Sequence, residues 1–338
     1  MACERIGAYR DALAALDRIL ARAPDDRAAL LARYRITGKI GDPKPSAAAA
    51  RGLLSAGLTL PGIRSTLGHS LLALGKYREA AEIFSCGAAG RQGEADCWMT
   101  LGMIRSQMGD RDEAIRCFTE AVGENPEIPG GWSSLADLVY AAGKKKQAVS
   151  HADRALALDP EDIRALRVKA QALLASGKYT DAIVSFDTYL ARAPDDTGAR
   201  REAAHALLRA GRTDEAVTRF AEALETDSSD PGSWIMLGTA LTTLGRYDEA
   251  LEAFSEILAS DPGHREALVK KADVFARLGR ATEASDAYKA VLAADPGNVA
   301  ALHALISLLE HQGLPAEAFS HYRALLELEG ENPDTLFD

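Results

Sequence analysis

The chain has 338 residues, a net charge of −10 and a pI near 5.3, with 47% hydrophobic but only 6% aromatic residues. That acidic balance excludes the basic face a phosphate backbone demands, so no nucleic-acid partner is expected. No stretch approaches the roughly 20 apolar residues of a membrane span. The charged opening around Glu4, Arg5, Arg10 and Asp11 is unlike a signal peptide, and the expected compartment is cytoplasmic.

One period organises the whole length. Gly7, Gly41, Gly75, Gly109, Gly143, Gly177, Gly211, Gly245, Gly279 and Gly313 follow one another at 34 residues, and a small residue stands five places after each, from Ala12 and Ser46 to Ala318. With the glycine counted as position 15, residues 1–26 form a partial unit. Nine full units then cover 27–60, 61–94, 95–128, 129–162, 163–196, 197–230, 231–264, 265–298 and 299–332, and residues 333–338 begin another or form a tail. An unbroken period of this size is the mark of stacked supersecondary units rather than a rounded domain.

Taken in chain order, the unit at 27–60 is the poorest. Its second half carries Pro43, Pro45 and Gly52, with Ala50 where a large aromatic stands elsewhere. It is expected to be thinly packed, or to act as a softer joint with weaker hydrogen-exchange protection than 95–194. At 95–128 the pattern is Trp98, Leu101, Gly102, Ala114, Phe118, Ala121 and Pro126, and at 129–162 it is Trp132, Leu135, Ala136, Ala148, Ala155 and Pro160. The unit at 231–264 is the clearest: Trp234, Leu237, Gly238 and Leu241 share one helical face, and Gly245 follows at the helix end. A second helix starts near Tyr247, presents Ala250, Phe254 and Ile257, and stops at Asp261-Pro262. Each unit thus reads as two helices of about 14 residues joined by a tight turn.

These residues resemble the tetratricopeptide repeat family over essentially the whole chain. The resemblance implies an all-α solenoid, a right-handed superhelix of antiparallel helix pairs. It also implies that positions 2, 5, 9, 12 and 13 of the first helices line a concave groove. In this sequence those positions supply Arg164, Arg167, Gln171, Arg201, His205 and Arg209, an expected anion-binding patch, with adjacent first helices roughly 10 Å apart. Asp195, Asp196 and Glu202 are near enough in sequence to neutralise it. Met99, Met103, Ser106 and Tyr140, beside Asp96 and Asp137, offer an adaptable apolar stretch or serve as partial core.

The implied function is non-enzymatic: a scaffold binding a peptide segment or partner protein bearing acidic and apolar residues. Self-association through uncovered ends, or service as one arm of a larger regulatory protein or enzyme, are the alternatives. Asn125, Asn298 and Asn332 are the only asparagines and fall at turns, so the Lys/Asn clamp by which some relatives hold acidic C-termini is absent. No catalytic, cofactor or metal residue is expected. His303, Ser307, Glu310 and His311 share a helical stripe but give too few ligands, and Lys144-Lys145-Lys146 sits at a turn. Cys3, Cys86, Cys97 and Cys117 lack metal spacing and read as packing thiols.

Overall fold

The computed structural model describes residues 2–58, 62–88 and 95–329, and nineteen α-helices, with no strand, account for most of them. Two compact units divide the chain, Met1–Val168 and Lys169–Asp338.

The first unit holds α1 (Ala2–Arg22), α2 (Arg27–Ile40), α3 (Pro43–Ser55), α4 (Ile63–Ala73), α5 (Tyr77–Ala88), α6 (Ala95–Gln107), α7 (Arg111–Glu124), α8 (Gly131–Ala141) and α9 (Lys145–Leu158). From α1 to α9, each helix packs against the next one in the chain. The division falls within α10 (Ile163–Ala175). The second unit continues with α11 (Tyr179–Leu190), α12 (Thr197–Arg209), α13 (Thr213–Thr226), α14 (Pro231–Thr243), α15 (Tyr247–Ser260), α16 (Arg265–Arg277), α17 (Ala281–Ala294), α18 (Val299–His311) and α19 (Pro315–Glu329). Sequential packing repeats there, and first helices also touch across the intervening helix, α12 with α14 and α14 with α16. Paired helices in line, each covered by its chain neighbours, make an α-solenoid.

Helix ends are written in the sequence. Nine of the ten periodic glycines, Gly41 to Gly313, hold φ between 70° and 84°, the left-handed conformation that costs a residue with a β-carbon about 1–2 kcal/mol. Gly7 is the exception, because α1 runs through it as one helix and makes no turn there. A lone interior glycine costs only about 1 kcal/mol relative to alanine, which a continuous hydrogen-bond ladder tolerates. At the other end of the register, Asp26, Asp162, Asp196, Asp230, His264 and Asn298 accept hydrogen bonds from backbone N–H groups in the first turn of the helix that follows. Each such cap contributes about 1 kcal/mol.

The core lies between paired helices. Phe186, Phe220 and Phe254 are fully buried at one register position. A β-carbon at Gly238 would sit 2.6 Å from the Phe254 ring and one at Gly68 2.4 Å from Phe84, so glycine there is a packing requirement. The expectation of a thin α3 is corrected. Pro43 occupies the first turn, where no N–H is needed, Asp42 caps it, and Ala47, Ala49, Ala50 and Leu53 are all at most 3% exposed. Small residues pack there because α2 and α4 come close, and Leu30 reaches Gly52. Residues 330–338, with Leu336 and Phe337, lie outside the described residues, as do the side chains of Cys3 and Cys86.

Candidate functional site

In the second unit, α14 and α16 enclose a cavity of about 340 Å³ with the start of α15. Its α14 wall is Thr239, Thr242 and Thr243; its α16 wall is Lys270, Asp273, Val274 and Arg277; Tyr247 closes one side. The threonine hydroxyls donate to carbonyls one turn back, Ile235 at 2.8 Å, Gly238 at 2.7 Å and Thr239 at 2.9 Å, which consumes their protons. Asp273 accepts from the Tyr288 hydroxyl at 2.7 Å, and burial together with that carboxylate pushes the Tyr288 pKa up. Lys270 and Arg277 remain. Neither has an ion pair among the described residues, so the cavity presents two uncommitted cations.

Earlier in the same unit, α12 supplies Arg201, His205 and Arg209 and α10 supplies Gln171, and most of them have internal partners. Arg201 donates to both carboxylate oxygens of Asp230, at 2.9 and 2.7 Å, and Gln171 donates to both oxygens of Glu202, at 3.1 and 3.0 Å. Arg209 lies over the Tyr179 ring, 5.1 Å from its centroid. His205 is half-buried; burial first and then Arg209 lower its pKa, against an opposing pull from Glu202, so its imidazole is neutral at pH 7.

In the first unit, Arg164 donates to Asp137 at 2.9 Å and to the Ser134 hydroxyl at 3.2 Å, while Arg167 stands exposed on the same helix. Met103 is 54% exposed, and Met99 and Tyr140 are half-buried. The basic residues read as one patch therefore belong to two units, Arg164 and Arg167 to the first, Gln171, Arg201, His205 and Arg209 to the second. The sequence reading missed Lys270 and Arg277. The signal was available, since Thr239, Thr242, Thr243 and Arg277 occupy positions 9, 12 and 13 of their repeats, the positions already singled out two repeats earlier.

Among the described residues no group of three or more His, Cys, Asp or Glu is placed to hold a metal ion, and no helix is long and apolar enough to cross a membrane. Cys117 is buried, and burial pushes its thiol up, away from the reactive thiolate.

Tetratricopeptide repeat models match residues 99–163, 133–197, 167–231, 201–265, 235–299 and 269–333, each window 34 residues after the last. Solved structures are similar over part of the chain. YrrB, described as a TPR protein with an unusual peptide-binding site, is 24% identical over 55% of this chain and 96% of its own, with a TM-score of 0.50. The C-terminal part of a TPR repeat-containing protein from Cytophaga hutchinsonii is 17% identical over 70% of this chain and 97% of its own, with a TM-score of 0.57. MamA from Desulfovibrio magneticus RS-1 is 17% identical over 53% and 98%, with a TM-score of 0.46. The first two share the fold. No curated protein matches the chain.

Proposed function

Because the chain belongs to the tetratricopeptide repeat family, whose repeats serve as protein-interaction scaffolds, we propose that it is a non-enzymatic scaffold holding a segment of a partner protein against its first helices. The nine 34-residue units over 27–332 are its repeating elements. The observation that carries this reading is the α14/α16 cavity, where Lys270 and Arg277 face a threonine wall, neither ion-paired among the described residues, and the one carboxylate beside them, Asp273, is held by Tyr288. A carboxylate from an extended peptide satisfies both cations, and the threonine methyls accept its neighbouring apolar atoms. On the first unit, Met99, Met103 and Tyr140 suit an apolar contact. Arg167, Arg209 and His205 are secondary contacts of the same kind.

The test is fluorescence anisotropy of labelled acidic heptapeptides that alternate Glu with Leu, titrated with wild type and with the Lys270→Glu/Arg277→Glu variant. Wild type binds in a salt-sensitive way, and the double reversal weakens binding at least about tenfold, or 1.4 kcal/mol. Equal affinity for both proteins contradicts the reading. A second reading, self-association, is favoured by Leu314 and Leu328, 41% and 51% exposed on and beside α19. Concentration-dependent light scattering that Leu328→Lys abolishes supports it; a constant monomer mass removes it.

A further inference from the structure

The first unit contains a second cavity, of about 480 Å³, built by α7, α8 and α9 rather than by successive first helices. Its walls include Val122, Pro126, Trp132, Leu135, His151 and Arg154. The volume lies in the range of about 300–1,000 Å³ typical of ligand sites.

A local break in the repeat accompanies this opening. Position 24 is aromatic in Phe84, Phe118, Phe186, Phe220, Phe254, Tyr288 and Tyr322, but here it is Ala152, fully buried. Position 23, where Cys117 and Ala253 stand next to the other well-formed tryptophan repeats, is His151, and position 26, Glu120 and Glu256 in those repeats, is Arg154. His151 stacks on Trp132 with ring centroids 5.6 Å apart and an interplanar angle of 23°. The Arg154 guanidinium lies 4.6 Å from the Trp132 centroid. The indole itself is anchored, its Nε1–H donating to the Pro126 carbonyl at 2.8 Å.

Among the described residues, one polar group here lacks a hydrogen bond and another lacks a counter-charge. The His151 Nδ1 is buried with no hydrogen bond, a cost that folded proteins rarely leave standing. Arg154 is exposed and has no ion pair among the described residues, in a chain of net charge −10. Burial, and then Arg154, hold the His151 pKa below its ordinary value, so the cavity's positive charge is Arg154's. An apolar floor with one guanidinium stacked at an aromatic wall matches a specific chemistry: a hydrocarbon group with a carboxylate next to it.

We propose that this cavity binds a partner peptide presenting an apolar side chain beside an acidic one, the first seated on Val122, Leu135 and Trp132, the second on Arg154. Charge complementarity selects this occupant, because no carboxylate among the described residues forms an ion pair with Arg154. The site is separate from the first-helix cavity and stands whether or not that reading holds.

The test follows the indole N–H cross-peaks of Trp98, Trp132 and Trp234 in a ¹⁵N-labelled full-length chain, with acetyl-Gly-Phe-Glu-Gly-amide as probe. The Trp132 peak moves saturably while those of Trp98 and Trp234 stay, and the Gln-for-Glu peptide binds about fivefold more weakly or worse. Arg154→Glu weakens binding about tenfold. Ser150→Trp, at an exposed residue of the cavity wall, crowds the cavity and abolishes binding without lowering the melting temperature. Arg111→Glu, an exposed charge reversal at the start of α7 outside the cavity wall, leaves the Trp132 response unchanged. The proposal is overturned by any of three results: no saturable Trp132 movement up to about 5 mM peptide, movement that survives Ser150→Trp, or movement that Arg111→Glu weakens as much as Arg154→Glu.

Discussion

Arg209 and Tyr179 form a stacked pair at the edge of the first-helix face, and they recur in register. Thirty residues separate them, as they separate Arg277 from Tyr247 at the edge of the α14/α16 cavity, and Lys39 from Tyr9, whose ring centroid lies 5.8 Å from the Lys39 ammonium. Tyr179 and Tyr247 open a second helix, Tyr9 takes the same register place inside the continuous α1, and each cation lies in the last turn of the next repeat's first helix. The Arg209–Tyr179 pair therefore ties neighbouring repeats. A double-mutant cycle on Tyr179→Leu and Arg209→Ala is expected to give a coupling of about 0.5–1 kcal/mol in thermal unfolding. Additive effects would mean that the two residues merely share a surface.

Packing at the helix crossing supplies a sharper expectation. Gly238→Ala drives a methyl group into the Phe254 ring and costs about 1–3 kcal/mol, whereas Phe254→Ala costs about 3–5 kcal/mol by leaving a cavity. In the Phe254→Leu background the alanine at 238 is better tolerated. An equal penalty in both backgrounds would place the strain elsewhere.

Asp230 links a cap to the first-helix face. It accepts from the Ser233 N–H at 3.2 Å and hydroxyl at 2.7 Å, and it also holds Arg201. Replacing it with alanine costs about 1–2 kcal/mol of stability and frees Arg201 for an external anion. The variant should melt lower yet bind acidic peptides at least as tightly as wild type. Weaker binding would show that Asp230 positions Arg201 for the ligand.

Stability falls on acidification in two stages. Burial holds the His205 pKa below its ordinary value, with Arg209 adding to it, and His151 and His321 shift the same way. The unfolded chain takes up these protons first, so stability drops once pH falls below about 6.5. Asp230 acts lower: burial alone would raise its pKa, but Ser233, Arg201 and the Gly232 N–H outweigh that and depress it. Its contribution is complete above the ordinary Asp value of about 3.9 and fades as pH falls through the folded value. Melting temperatures between pH 7.5 and 5 should decline, and His205→Gln should flatten part of that slope. An unchanged slope would remove His205 from the account.

Much of the fold was legible because the residues that build it repeat. Gly245, Phe254 and Pro262 each do one local thing, and 34-residue copies confirm it. The exceptions are those that a period hides. Gly7 matches the register yet lies inside α1, since position alone does not reveal whether a turn is worth making. The prolines of α3 looked disruptive but fall in its capped first turn. At the candidate site the sequence shows which residues face a groove but not which are already engaged. Arg164 and Arg201 have carboxylate partners, at positions 137 and 230, that only packing brings near. Lys270 and Arg277 have no such partner among the described residues.

The central claim is that a partner segment lies on the first helices. Hydrogen exchange of the full chain, with and without the bound Glu/Leu heptapeptide, tests it directly. The account predicts added protection in 231–243 and 265–277 that the Lys270→Glu/Arg277→Glu variant loses. Protection confined to 247–260 and 281–294, on the second helices, would contradict it.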